Sequence, residues 1–208
     1  MHRPLAVALL MLAPRLAPAQ ILALPTSSSE PGNWIAGGVA LLNATGMRDD
    51  SRNAYWNVPS VTGYRIAIDK SYGAGATIGA TVTWSNPTMT IASTAAGGCP
   101  SGCQASANFI HYQLTYRSGG YARGTWPVAE IAAGGLRVGD VRTGGTTASP
   151  DRTLLTMSAG AGIAFATSSH FQFELVQEYS SIFAGGGFTG AATQWNTRVG
   201  MRFGFGNR

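Results

Sequence analysis

The sequence predicts an all-β chain: an eight-stranded antiparallel up-and-down transmembrane β-barrel, preceded by a signal peptide. Three observations carry that expectation. Apolar and polar residues alternate over eight segments. The links between the segments are short and long in turn, and one face of the alternation is oily while the other mixes charge with glycine, serine and threonine.

The N-terminus comes first. Residues 1–19 combine the basic start His2 and Arg3, an apolar run over 5–13 and the small-residue cleavage site Ala17-Pro18-Ala19, the pattern of a secretory signal. The apolar run falls short of the roughly 20 residues that a spanning helix needs, and Pro14 and Arg15 interrupt it. Cleavage after Ala19 leaves 189 residues (208 − 19), a short lead over 20–32 and a single domain over 33–208. It removes Arg3 and Arg15, so the formal charge falls from +5 to +3. Lys70 is the only lysine and no basic run occurs, which argues against a nucleic-acid partner. No later stretch reaches 18 consecutive apolar residues, so any crossing of a membrane is made by strands.

The strands follow in order. In 64–69, Tyr64, Ile66 and Ile68 alternate with Arg65, Ala67 and Asp69, and in 74–84 the apolar row Ala74 to Trp84 alternates with glycine and threonine only. In 110–117, Ile110, Tyr112, Leu114 and Tyr116 alternate with His111, Gln113, Thr115 and Arg117. In 155–165, Leu155, Met157, Ile163 and Phe165 share one face. Over 170–178, Phe171, Phe173 and Leu175 oppose His170, Gln172, Glu174 and Glu178, with Val176 the exception. The closing segment sets Trp195, Thr197, Val199, Met201, Phe203 and Phe205 against Asn196, Arg198, Gly200, Arg202 and Gly204. A helix would scatter such residues around its circumference, whereas a strand lines them up on one face. Residues 34–42 and 121–133 complete the eight; the first has no clear phase, and Trp126, Pro127 and Val128 suggest a bulge or a phase change in the second.

Tight turns are expected around Lys70-Ser71, at 118–120 and at Ser168-Ser169, with long links over 43–60, 86–106, 134–152 and 181–193. An up-and-down barrel produces this alternation by placing all turns at one end and all loops at the other. Composition assigns the faces. Trp84, Tyr116, Phe165, Phe171, Tyr179, Trp195 and Phe205 fall toward strand ends on the apolar face, as interfacial girdles do. Charges among small residues on the other face suit a packed polar interior. A secreted soluble β-protein is the alternative, with the apolar face turned inward.

The end of the chain resembles the assembly signal of bacterial outer-membrane proteins through Arg198, Gly200, Phe203 and Phe205, although the chain continues as Gly206-Asn207-Arg208 past the last aromatic residue. The glycine-interrupted strand, tight turn and acidic strand over 155–179 also resemble small eight-stranded barrels of the OmpX, OmpA and OmpW type. The resemblance implies an outer-membrane location in a Gram-negative-type bacterium, lipid and the barrel-insertion machinery as partners, and an unidentified extracellular partner at the loops.

An eight-stranded barrel is just wide enough to be filled by side chains. If the last hairpin is symmetric about Gly187, Glu174 faces Gly200 and lies diagonal to Arg198 and Arg202. An interior ion network of Glu174 and Glu178 against Arg198 and Arg202 follows, extended by Arg65, Asp69 and Arg117, because charges taken from water need partners. Cys99 and Cys103 are expected to form a disulfide at a loop tip. No cofactor, metal or catalytic residue is expected: Ser168, Ser169 and His170 are adjacent in a turn but build no triad. The functional expectation is a structural or surface-interaction role through the long loops, with a passive conduit for small hydrophobic molecules as the alternative.

Overall fold

The computed structural model describes residues 30–73, 75–95, 98–120, 123–144, 146–149, 151–183, 188–189 and 192–207. The expected signal peptide, most of the lead, Ala74, Tyr121 and Gly187 lie outside the described residues.

The strands are β1 (Pro31–Leu42), β2 (Thr45–Asp49), β3 (Ala54–Val58), β4 (Val61–Gly73), β5 (Ala76–Ser85), β6 (Thr88–Ser93), β7 (Cys103–Ser118), β8 (Gly124–Thr143), β9 (Thr146–Ser149), β10 (Arg152–Ser168), β11 (Phe171–Ile182), β12 (Phe188–Thr189) and β13 (Ala192–Asn207). Eight of them close into a barrel. Antiparallel ladders run β1–β4–β5–β7–β8–β10–β11–β13, and β13 returns to β1 through Val39↔Val199 and its neighbours. Closure removes the sheet edges that would otherwise expose unpaired backbone groups, which hydrocarbon does not tolerate.

The apolar row of every barrel strand points outward. Phe173, Met201 and Phe203 are 44%, 44% and 51% exposed, whereas Glu174 and Arg202 are 7% and 3% exposed. A soluble barrel would show the reverse. The outward row of β1 comprises Ile35, Val39 and Leu41, so Trp34, Ala40 and Leu42 point in, which settles the phase of that strand. Toward the loop end, Tyr64 and Trp84 (ring centroids 5.9 Å apart) and Tyr179 and Trp195 (4.9 Å) form outward aromatic pairs. Phe171 packs on Phe173 (4.8 Å) and Phe203 (4.7 Å) toward the turn end. An oily belt held between aromatic levels is the dress of a membrane barrel.

Two expectations about the barrel strands need correction. Lys70 and Ser71 lie inside β4, and the turn falls beyond Gly73, because the alternation continues through Ser71 and Tyr72 to a positive-φ glycine (φ 101°). From Gly124 to Ala133 the strand carries neither bulge nor phase change: β8 pairs with β10 without a register shift from Gly124 to Val138, and Val128 points inward against Ala164 and Val176. The same pocket explains Val176, an apolar residue on the polar row because it meets two others there.

The largest difference lies in the long links. The strands run on beyond the aromatic level, and the links themselves fold into β2, β3, β6, β9 and β12. A short 3-10 turn, Asp50–Arg52, joins β2 to β3, and a wing β7–β6–β3–β2–β12 grows from the loop end of β7. Along these extensions the polarity of the two faces reverses. In β8, Ile131 and Ala133 point outward, but past Gly134-Gly135 the buried positions are Leu136 and Val138 while Arg137 is exposed. The ring of Tyr112 lies over Gly135, where an added Cβ would come within 2.5 Å of its hydroxyl. A bulge at Asp140 (φ 50°) then shifts the phase so that Val141 points in. Above the belt the surroundings are water, so the hydrophobic effect drives apolar side chains inward, as in any soluble sheet.

Candidate functional site

The interior of the belt is an ionic column. Its hub is Glu130 on β8, which accepts from two guanidiniums. Arg65 Nη2 on β4 donates to Glu130 Oε1 at 2.8 Å, and Arg198 on β13 grips both oxygens, Nη1 to Oε1 at 3.0 Å and Nη2 to Oε2 at 2.8 Å. Arg198 also stands 3.5 Å from Glu178 and 3.6 Å from Glu174. Arg117 of β7 pairs with Glu174, and Arg202 Nη2 donates to Asp69 Oδ2 at 2.6 Å. Four cations therefore meet four carboxylates, none more than 10% exposed. Forked guanidinium–carboxylate geometry is what makes such a cluster tolerable away from water.

The register explains the convergence. Glu174 stands opposite Gly200 across β11–β13, and an added Cβ at Gly200 would sit 3.6 Å from Glu174. That is ordinary van der Waals contact, and the carboxylate leans inward between Arg117 and Arg198. Arg65 and Asp69 reach the same space from β4, on the far side of β1. Glu130 is absent from the network expected from sequence because the apolar Trp126 and Val128 obscure the phase of its strand; strict alternation counted from Ile131 would put it inside.

Both ends of this column are closed. At the turn end, Trp34 is 3% exposed and lies under Arg202, whose Cζ is 5.1 Å from the indole centroid, a cation–π contact. The indole Nε1 donates to Ser71 Oγ at 3.1 Å, and Ser71 Oγ donates to the Pro31 carbonyl at 2.6 Å. At the loop end, Met47, Trp56, Val58, Met89, Phe109, Leu136, Val138, Leu154 and Ile182 form one buried apolar cluster across the mouth. Between this cap and the ionic column lies buried His111, beside a cavity of only about 10 Å³. The cavity amid the charges holds about 20 Å³. Each of these two volumes has room for about one water.

Outside the cap, the extensions are braced by charge and by sulfur. Asp49, fully buried, accepts from Arg152 Nη1 at 2.9 Å and from Ser51 Oγ at 2.5 Å, tying β2 to the start of β10. Cys99, in the link between β6 and β7, is joined by a disulfide to Cys103, the first residue of β7, with Cα atoms 5.7 Å apart. The Cys99 carbonyl accepts from the N–H groups of Ser93 and Gly102, both at 3.0 Å. A cleft of about 460 Å³ opens beside the disulfide, floored by Ala54, Trp56 and Ile91 and rimmed by Ser51, Arg52 and Ser93.

The remaining expected positions are plainly located. Phe203 and Phe205 point outward at the turn end of β13, and Arg198 and Gly200 face in. His170 sits in the turn between β10 and β11 rather than on the interior row, and its Nδ1 lies 2.8 Å from Ser169 Oγ. Among the described residues, no group of three or more His, Cys, Asp or Glu is arranged to hold a metal ion.

An oily belt, aromatic levels and a charge-filled centre define a membrane-spanning barrel of the side-chain-filled kind. No protein family and no curated protein sequence matches the chain. Solved structures do. Neisserial surface protein A superimposes with a TM-score of 0.56 at 11% identity, covering 84% of this chain and 97% of that one. The outer membrane protein OprG from Pseudomonas aeruginosa superimposes with a TM-score of 0.63 at 12% identity, covering 86% and 98%. At such identities the likeness is one of fold. The fold is that of the small bacterial outer-membrane barrels.

Proposed function

We propose that this protein is a sealed outer-membrane barrel whose work is done by its extracellular β-extension, as a surface-interaction or envelope-bracing element rather than a pore. The observation that carries this reading is the double closure: Trp34 beneath, the apolar cap above, and a column of ion pairs between them. The network of Arg65, Asp69, Arg117, Glu174, Glu178, Arg198 and Arg202, centred on Glu130, has a structural role, filling the barrel and fixing the strand register. The disulfide and the Asp49–Arg152 pair hold the extension in one shape, and preorganisation of that kind favours recognition of a partner. In the C-terminal strand, Arg198, Gly200, Phe203 and Phe205 serve as the signal for insertion.

The deciding measurement is electrical. Purified protein refolded into planar bilayers is expected to give no discrete conductance steps, and proteoliposomes are expected to retain small sugars. Regular single-channel openings would overturn the sealed-barrel reading.

A second reading is favoured by the cleft of about 460 Å³, whose volume suits a small molecule and whose floor is apolar. Here the cleft is the outer mouth of a conduit for small hydrophobic molecules, opened when the cap moves. Uptake of a fluorescent hydrocarbon into cells, abolished by filling the cleft with Ala54→Trp, would favour it over the first.

A further inference from the structure

Between its two aromatic levels the outward surface is oily, with one departure. Lys70 and Asn33 belong to the turn-end level, since Asn33 pairs with both Lys70 and Phe205. Arg137 belongs to the loop-end level, since Ile110 pairs with both Trp84 and Arg137. Inside these limits the described outward residues carry no charge and a single amide, Gln177 on β11, exposed one outward step inside Tyr179 of the loop-end level and separated from Phe173 by Leu175. Its side chain makes one local hydrogen bond among the described residues: Thr197 Oγ1 on β13 donates to Gln177 Oε1 at 2.8 Å. That bond occupies an acceptor and leaves both amide N–H donors facing lipid. An amide left without an acceptor in hydrocarbon costs several kcal/mol.

The neighbours of Gln177 are unusual as well. Directly across the ladder stand Ala161 on β10 and then Ala129 on β8, with Ala159 beside Tyr179 one step toward the loop end. Elsewhere the belt bristles with Ile, Leu, Val, Phe and Trp. The outward face of β8, β10 and β11 is therefore a shallow alanine-floored depression with one unsatisfied amide on its rim, bordered by Ile131, Met157 and Ile163.

We propose that two copies of this chain pair within the membrane through this face. A twofold axis beside Gln177 brings the two amides together, each Nε2–H donating to the other's Oε1. The occupant follows from hydrogen-bond complementarity: a primary amide is its own partner, offering both donor and acceptor, so a symmetric contact satisfies both copies without a second kind of protein. Acyl chains offer no acceptor at this depth. Small residues beneath the amide permit the backbone approach that membrane interfaces need, and polar side chains there act as interhelical or inter-barrel glue. The inference rests on the membrane-barrel orientation and is independent of whether the barrel conducts.

The test uses the full protein reconstituted in vesicles of phosphatidylcholine and phosphatidylglycerol at several protein-to-lipid ratios. Ala161→Cys is expected to form an inter-copy disulfide on mild oxidation, while Ala80→Cys, on a distant part of the belt, cross-links only at collision level. Adding Gln177→Leu to Ala161→Cys is expected to lower cross-linking by about 3- to 15-fold, the range that polar contacts in membranes support. Heat-modifiable migration in detergent gels checks that each variant is a folded barrel, and leucine on a lipid face favours folding. Equal cross-linking at the two sites, or a Gln177→Leu variant that pairs as well as the parent while remaining folded, overturns the proposal. Loss of heat modifiability in the unsubstituted protein would instead sink the barrel orientation itself.

Discussion

Replacing Glu130 by glutamine tests the ionic column at its centre. The substitution keeps the shape and one carbonyl acceptor but removes the charge that two guanidiniums share, and it turns an NH2 group toward Arg198 Nη2, which now stands 2.8 Å from a donor. Arg198 retains Glu178 and Glu174 at 3.5 and 3.6 Å, whereas Arg65 loses its salt-bridge partner. Leaving a buried charge unpaired costs about 3–5 kcal/mol, and the retained acceptor sets the expectation at the lower end, about 3 kcal/mol. That amounts to roughly a hundredfold in the unfolding constant. Urea unfolding in lipid vesicles, followed by tryptophan fluorescence, measures it as a lower midpoint at unchanged slope. Pairing the change with Arg65→Gln removes the stranded cation, and the double variant is expected to recover part of the loss, with a coupling of about 0.5–3 kcal/mol. A loss below about 1 kcal/mol, the value of a pair bathed in water, would refute the dry, paired interior.

Other consequences are equally measurable. Asp49→Asn leaves Arg152 without its buried carboxylate and is expected to raise hydrogen exchange in β2 and β3 while the belt strands keep their protection; uniform protection would contradict the clasp. Leu175→Arg, in the middle of the lipid face, is expected to destabilise by about 2–4 kcal/mol, whereas a soluble barrel would expose that position to water and lose almost nothing. Outside the membrane, the hydrogen bond from Arg137 holds the Asp151 carboxyl below the usual carboxylate range. A depressed folded value means that the stabilisation is complete above the unfolded value of about 3.9 and fades as pH falls through the lower folded one. Carbon-13 titration of Asp151 should therefore show a midpoint below that of Asp151 in Arg137→Gln; equal midpoints would exclude the pairing.

Much of the barrel is legible in the sequence because a period of two is a local property. Val199, Met201, Phe203 and Phe205 share a face whatever the rest of the chain does, and a hairpin symmetric about residue 187 sets Glu174 against Gly200 from neighbouring sequence alone. Glu130 is harder to read. Its partners Arg65 and Arg198 are 65 and 68 residues away, and an apolar lower pocket of Val128, Ala164 and Val176 interrupts the polar row that would reveal its phase. The cap is harder still. Leu136, Val138 and Leu154 sit on the row that is polar lower down, so a reader who expects one face to stay oily takes the extensions for loops.

The sequence by itself determined the alternation and, for six of the eight barrel strands, which row faces in and which faces out, since each depends on residues two apart; β1 and β8 took their phase from the structure. The tertiary structure decided where the belt stops, how eight ladders close on one another, and which cation meets which carboxylate. Those depend on the height at which a strand leaves lipid for water and on side chains brought together from opposite walls, and neither distance is written along the chain.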